Sequence, residues 1–181
     1  GLTIGGLGQH GMDAVAIEIE RKFRVVGEGW RPHVVKSVRM AQGYINDMAA
    51  LREARQNASV RVRIAGDEAF LNLKSRELGR SRQEFDYPIP VEDAEALLRL
   101  CVGGLVDKVR HYIPQDGLTW EVDEFAGDNA GLVVAELELP AVDTAFGRPD
   151  WLGREVTEEQ RFYNLALAER PYSRWSAVEQ A

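Results

Sequence analysis

The chain contains a single cysteine, Cys101. One thiol can neither close an intramolecular disulfide nor build a multi-cysteine zinc site, so Cys101 is expected to be a buried, inert side chain. No secretory signal stands out, and with disulfides excluded this favours the reducing cytoplasm. Long apolar runs are missing too: none approaches the ~20 residues of a bilayer-crossing helix, so no membrane partner is expected. Positive charge is in deficit. With 22 lysines and arginines against 29 acids, the formal net charge is -7, which argues against the broad basic surface used in nonspecific duplex binding. No nucleic-acid partner is expected, although a polyanion can still bind where basic side chains are concentrated locally.

What the chain does have is the composition of an ordinary domain. Its 181 residues are 45% hydrophobic and 28% charged, long enough to bury one core without covalent staples. Residues 1–11 are glycine-rich, lack either structural period and precede Met12, so they read as a vector-derived or disordered leader ahead of a single domain over 12–181. From Ala14 onward eight short β-type runs recur, at about 15–26, 34–46, 58–65, 69–75, 82–89, 104–113, 118–126 and 132–140. Tight-turn chemistry separates them, as in Ala65-Gly66-Asp67 and Pro114-Gln115-Asp116-Gly117, so consecutive runs are expected to pair antiparallel. Two segments have a helical period instead. Val91, Ala94, Leu97, Leu98 and Cys101 form one amphipathic stripe ahead of Gly103-Gly104. A second helix is expected to start at a capping box, Thr157 with Gln160, and to run through Phe162, Leu165 and Ala166 before Pro171. The expected fold is mainly β with a few helices, an antiparallel sheet or barrel.

The charges alternate with the strand period. Glu18, Glu20 and Lys22 share one face of an extended backbone, with Ile17, Ile19 and Phe23 on the other. The same holds for Arg61 with Arg63, Arg82 with Glu84 and Asp86, Lys108 with Arg110, Glu121 with Asp123, and Glu136 with Glu138. A solvated sheet face produces such a pattern without any function. Against that reading, paired carboxylates recur on separate strands although Asp and Glu are depleted from strands. If the sheet closes, these faces converge on an interior able to hold hard divalent cations on carboxylates and phosphate oxygens on Arg and Lys.

The motif Glu18-Ile19-Glu20-Arg21-Lys22-Phe23 resembles the ExExK signature of the CYTH family of triphosphate tunnel metalloenzymes. Its companions follow in the family's order: Arg61-Val62-Arg63, Leu73-Lys74, Arg82-Gln83-Glu84, Lys108-Val109-Arg110, Glu121-Val122-Asp123, Glu136-Leu137-Glu138, and a closing Glu155-Val156-Thr157 with Arg161 and Asn164. The resemblance implies an eight-stranded antiparallel β-barrel enclosing a charged tunnel. It implies magnesium or manganese on Glu18, Glu20, Glu136 and Glu138, with Asp123 a further candidate ligand. Lys22, Arg61, Arg63, Lys74 and Arg110 are similar to the residues that hold the triphosphate, with Glu84 and Glu121 orienting them. Tyr44, in Gln42-Gly43-Tyr44, and Lys108 resemble a pair that activates the attacking water in bacterial tripolyphosphatases. Lys36, Arg39, Arg52 and Arg55 read as solvated surface. The function implied is metal-dependent hydrolysis of a small-molecule triphosphate, most simply inorganic tripolyphosphate to pyrophosphate and phosphate. Class IV adenylyl cyclase, nucleoside or thiamine triphosphatase and a non-catalytic polyphosphate-binding module use the same barrel. No nucleoside-binding region is evident, and paired acids at both ends of the chain favour an enzyme.

Overall fold

The computed structural model describes residues 19–76 and 83–181. The leader expected over 1–11, and the candidate residues Glu18 and Arg82, lie outside that set. The described chain forms β1 (Ile19–Val25), β2 (Lys36–Tyr44), β3 (Ala58–Ala65), β4 (Glu68–Ser75), β5 (Glu84–Ile89), β6 (Gly103–Gln115), β7 (Leu118–Phe125), β8 (Val133–Leu139) and β9 (Leu152–Glu155). Four short α-helices accompany them, two between strands, α1 (Met48–Arg52) and α2 (Val91–Leu98), and two after β9, α3 (Asn164–Glu169) and α4 (Ala177–Gln180).

The strands make one antiparallel sheet in the order β5-β4-β3-β2-β6-β7-β8-β1-β9. Two-residue turns join β3 to β4, at Gly66-Asp67, and β6 to β7, at Asp116-Gly117; both residues of the second have positive φ, 50° and 80°, the conformation that matches the twist of a two-residue hairpin. Antiparallel β architecture is thus as expected, with two differences in detail. The strands number nine rather than eight, and the hydrogen-bond ladder is open, because β5 and β9 stand at its ends unpaired with each other among the described residues. The added strand, β9, is only four residues long and contains Gly153, so it offers too little alternation to be recognised.

Helix boundaries also differ from expectation. The stripe beginning at Val91 does fold as a helix, but one that ends at Leu98. Thr157 does not cap a helix. Its hydroxyl accepts from the backbone N–H of Lys22 at 3.0 Å, and α3 starts seven residues later at Asn164. A true capping box forms at Ser176 and Glu179, at the start of α4.

Alternation gives the sheet two unlike faces. One carries Phe23, Trp120, Val122, Ala135, Leu137 and Leu139, packed beneath Trp30 and Trp151. On that same face Ala41, Val62, Ile64 and Ala69 are covered by Ala94 and Leu98 of α2. The opposite face is charged along most of its length but dry at one end, where Val106, Phe125 and Val134 lie under Val156, Phe162, Leu167 and Trp175 of the C-terminal segment.

Gly104 is what lets α3 seat there. Its φ is +64°, and a Cβ would lie 2.8 Å from Ala168 Cβ and 3.0 Å from the Ala168 carbonyl oxygen. Gly104→Ala therefore combines left-handed strain with overpacking, and should lower unfolding free energy by about 2–4 kcal/mol in urea denaturation. Gly103→Ala, where an added Cβ meets nothing within 4 Å, should change stability little. Equal stability of the two variants would remove this account of how α3 is seated.

Candidate active site

Residues directly opposite one another in an antiparallel pair project from the same face. The register places Glu20 opposite Glu138 and Lys22 opposite Glu136, Glu136 opposite Glu121, and Asp123 opposite Arg110. Continuing across the sheet, Lys108 stands opposite Met40, Gln42 opposite Arg63 and Tyr44 opposite Arg61, and Lys74 opposite Ser59 and Glu84. Every described candidate side chain therefore belongs to the charged face. It falls into an acid-rich half on β1, β7 and β8 and a basic half on β3 and β4.

In the acid-rich half the cations are already engaged. Asp123, only 1% exposed, accepts from Lys108 Nζ at 2.8 Å and from Arg110 Nε and Nη2 at 2.8 and 2.9 Å. Burial opposes its charge, yet the hydrogen bonds from Arg110 and the charges of Lys108 and Arg110 hold its carboxyl below the usual range. Arg110 also meets Glu121 at 2.7 Å and Glu136 at 3.6 Å. Lys22 Nζ lies 2.9 Å from Glu136, donates to the Phe162 carbonyl at 3.2 Å and sits 3.7 Å from the ring centroid of Tyr163.

Glu20 is the least balanced group. Burial first, then the charge of Glu136 and a hydrogen bond with it, raise its pKa to about 7, and Glu138 adds to the effect. Carboxylates crowded on one face, as Glu20, Glu136 and Glu138 are, are a donor set suited to a hard divalent cation. Among the described residues no three acidic, histidine or cysteine side chains converge as a ready-made metal site. The fourth expected acid, Glu18, lies outside the described set.

The basic half is different. Arg61 and Arg63 make no ion pair among the described residues. Among the described residues the buried Nε of Arg61 has no hydrogen-bond partner, and the guanidinium carbon of Arg63 lies 5.2 Å from the centroid of the Phe70 ring. Lys74 is 3.9 Å from Glu84, whose carboxylate instead accepts from Asn72 at 3.0 Å. A cavity of about 180 Å³ is lined by Gln42, Arg63, Lys108, Arg110 and Asn164 among others. Tyr44 opens instead into a neighbouring cavity of about 360 Å³ with Asn46, Met48, Val102 and Leu165. No hydrogen bond joins Tyr44 to Lys108 among the described residues. Asn164 is the functional candidate to which sequence reasoning assigned no role; its place in the closing motif was the available signal.

With both carboxylate oxygens on cations, Asp123 acts in this geometry as the anion that holds Lys108 and Arg110. Asp123→Asn leaves the buried Lys108 without its carboxylate, while the half-buried Arg110 keeps Glu121, and should lower stability by about 3 kcal/mol in chemical denaturation. Manganese affinity of the substrate-free protein should change less than in Glu138→Gln. Equal weakening in the two variants would make Asp123 a metal ligand.

Residues 16–171 match the CYTH domain. The inorganic triphosphatase of Acetivibrio thermocellus is 43% identical over 156 residues, which span 86% of this chain and 95% of that protein. That of Nitrosomonas europaea is 39% identical over 159 residues, 83% of this chain and 96% of that protein. Among solved structures, the inorganic triphosphatase NE1496 aligns with a TM-score of 0.67 at 35% identity, covering 84% of this chain and 94% of that one. The alternating charges, their order along the strands and the length of these matches have one reading: the chain belongs to the CYTH domain family.

Proposed function

We propose that this protein hydrolyses inorganic tripolyphosphate to pyrophosphate and phosphate in the cytoplasm, with Mg²⁺ or Mn²⁺ as cofactor. The observation that carries the proposal is the pair Arg61 and Arg63, two guanidinium groups without an ion pair among the described residues, on the face that also bears Glu20, Glu136 and Glu138. A short chain of phosphates supplies the anion that these forks lack, and planar guanidinium suits bidentate contact with phosphate oxygens. The Acetivibrio and Nitrosomonas relatives, both inorganic triphosphatases by name, agree with this substrate.

A divalent-metal requirement goes with the family. Glu18, Glu20, Glu136 and Glu138 are the proposed ligands, with Asp123 the further candidate; the raised pKa of Glu20 supports the fit. When bound, the cation neutralises charge on the transferring phosphoryl group. The protein's own groups do the rest. Lys22, Arg61, Arg63, Lys74 and Arg110 are proposed to hold the phosphates, Lys22 from beside Glu136. Lys108 and Tyr44 are proposed to align the attacking water. As its oxygen bonds to the terminal phosphorus, the bridging P–O bond breaks, pyrophosphate leaves with the electron pair, and the water's proton is released to solvent.

Thorough chelation should abolish turnover, and Mg²⁺ or Mn²⁺ should restore it; undiminished activity in metal-free protein contradicts the proposal. In parallel assays tripolyphosphate should be cleaved faster than ATP or thiamine triphosphate, with phosphate as a product. A preference for ATP that yields cyclic AMP would instead establish cyclase chemistry.

The two halves of the face should separate by mutation. Arg63→Ala removes a phosphate fork and should raise KM for tripolyphosphate about tenfold or more, whereas Glu138→Gln should raise the metal concentration needed for half-maximal rate by about tenfold. Thermal melts of both variants should stay near wild type. Unaltered kinetics and metal response in both would return these side chains to a solvated surface.

A further inference from the structure

We propose that Asn164 is a positioning residue of this active site: its amide oxygen steadies the Lys108 ammonium, and its amide N–H₂ is available to the oxyanion or water in the adjoining cavity. This inference rests on the hydrolase reading above. Asn164 is the first residue of α3 and lines the cavity shared with Arg63, Lys108 and Arg110. Lys108 Nζ donates to Asp123 Oδ2 at 2.8 Å and to Asn164 Oδ1 at 3.4 Å. An ammonium has three N–H donors, so two such partners leave one for a ligand in the cavity. With its oxygen turned to a cation, the Asn164 amide keeps two donors, and no acceptor for them stands among its described hydrogen bonds.

Helix capping does not account for this side chain. The N-cap position of α3 belongs to Tyr163, and the side-chain hydrogen bond of Asn164 runs to Lys108 on β6. The amide also suits the charge balance around the cavity. Arg63, Lys108 and Arg110 line the cavity with no acidic side chain among its described lining; Asp123 and Glu121 engage Lys108 and Arg110, while Arg63 makes no ion pair among the described residues, so the lining favours an anionic ligand. Aspartate at 164 would place a second carboxylate on Lys108 and repel phosphate. Leucine, of similar volume, would leave the ammonium anchored by Asp123 alone.

Steady-state kinetics on tripolyphosphate with saturating Mg²⁺, alongside thermal melts, test the assignment. Asn164→Leu should lower kcat about tenfold with KM within about threefold, the pattern of a lost orienting contact. Asn164→Asp should raise KM about tenfold by adding an anion beside the phosphates. Asn164→Gln, which keeps the accepting amide, should recover kcat to within about threefold of wild type. A purely structural residue would lower melting temperature without splitting kcat from KM in opposite senses for the Leu and Asp variants. If Asn164→Leu does not fold, the contrast between Asp and Gln decides: kcat and KM within about twofold of wild type in both overturns the assignment. A wild-type protein inactive on tripolyphosphate would instead sink the hydrolase reading and this inference with it, whereas active wild type with unaffected variants sinks this inference alone.

Discussion

One buried carboxylate organises the charged face. Asp123 is 1% exposed and takes hydrogen bonds from both Lys108 and Arg110, residues that β6 presents two positions apart. Lys108 and Arg110 share this anion, and Arg110 also meets Glu121 at 2.7 Å and Glu136 at 3.6 Å, so the network fixes where both cations point. Burying a charge is costly unless it is paired and hydrogen-bonded. The arrangement is therefore tied to the pairing of β6 with β7, which sets Arg110 directly opposite Asp123. A slip of one residue would send these side chains to the apolar face beside Trp120 and Val122.

The balance of charge changes across the sheet. On β1 and β8, Lys22 and Glu136 neutralise each other at 2.9 Å while Glu20 is pushed toward protonation. On β3, Arg61 and Arg63 lie opposite the uncharged Tyr44 and Gln42 on one side, and Asn72 and Phe70 on the other. Crowded acids and guanidinium groups that make no ion pair among the described residues thus share one sheet face, and a cation together with a polyanion relieves both imbalances at once. Each half alone would read as an ordinary polar sheet surface. Their joint presence on one face makes binding of a metal-phosphate pair the economical physical account.

Period-two alternation made most of this readable in the sequence. Glu20 and Lys22, Arg61 and Arg63, Lys108 and Arg110, Glu121 and Asp123, and Glu136 and Glu138 all project as the strand period requires, because side-chain direction in a strand is a local property. Partner choice is not local. That Lys22 lies on Glu136 and the Phe162 carbonyl depends on two segments more than 100 residues away in sequence, and no spacing encodes it. Thr157 shows the same limit from the other side: its capping-box spacing is real, but the backbone N–H of Lys22 takes the hydroxyl and the helix begins at Asn164. Strand β9 and helix α1 escaped notice because four and five residues are too few to display a period.

The C-terminal segment joins stability to chemistry. Val156, Phe162, Leu167 and Trp175 exclude water from one end of the charged face by packing on Val106, Phe125 and Val134. Lys22 and Lys108 sit at the border of that dry patch, 4% and 5% exposed, and each bonds to the segment, through Phe162 and Asn164 respectively. Electrostatic interactions at such a border are screened less than on an open sheet. Apolar packing therefore makes the polar contacts stronger, and those contacts hold the segment in register over the sheet. The small residue at Gly104, against which Ala168 packs, belongs to the same arrangement although it carries no charge: without the close approach of α3 to β6, the amide of Asn164 could not reach the ammonium of Lys108.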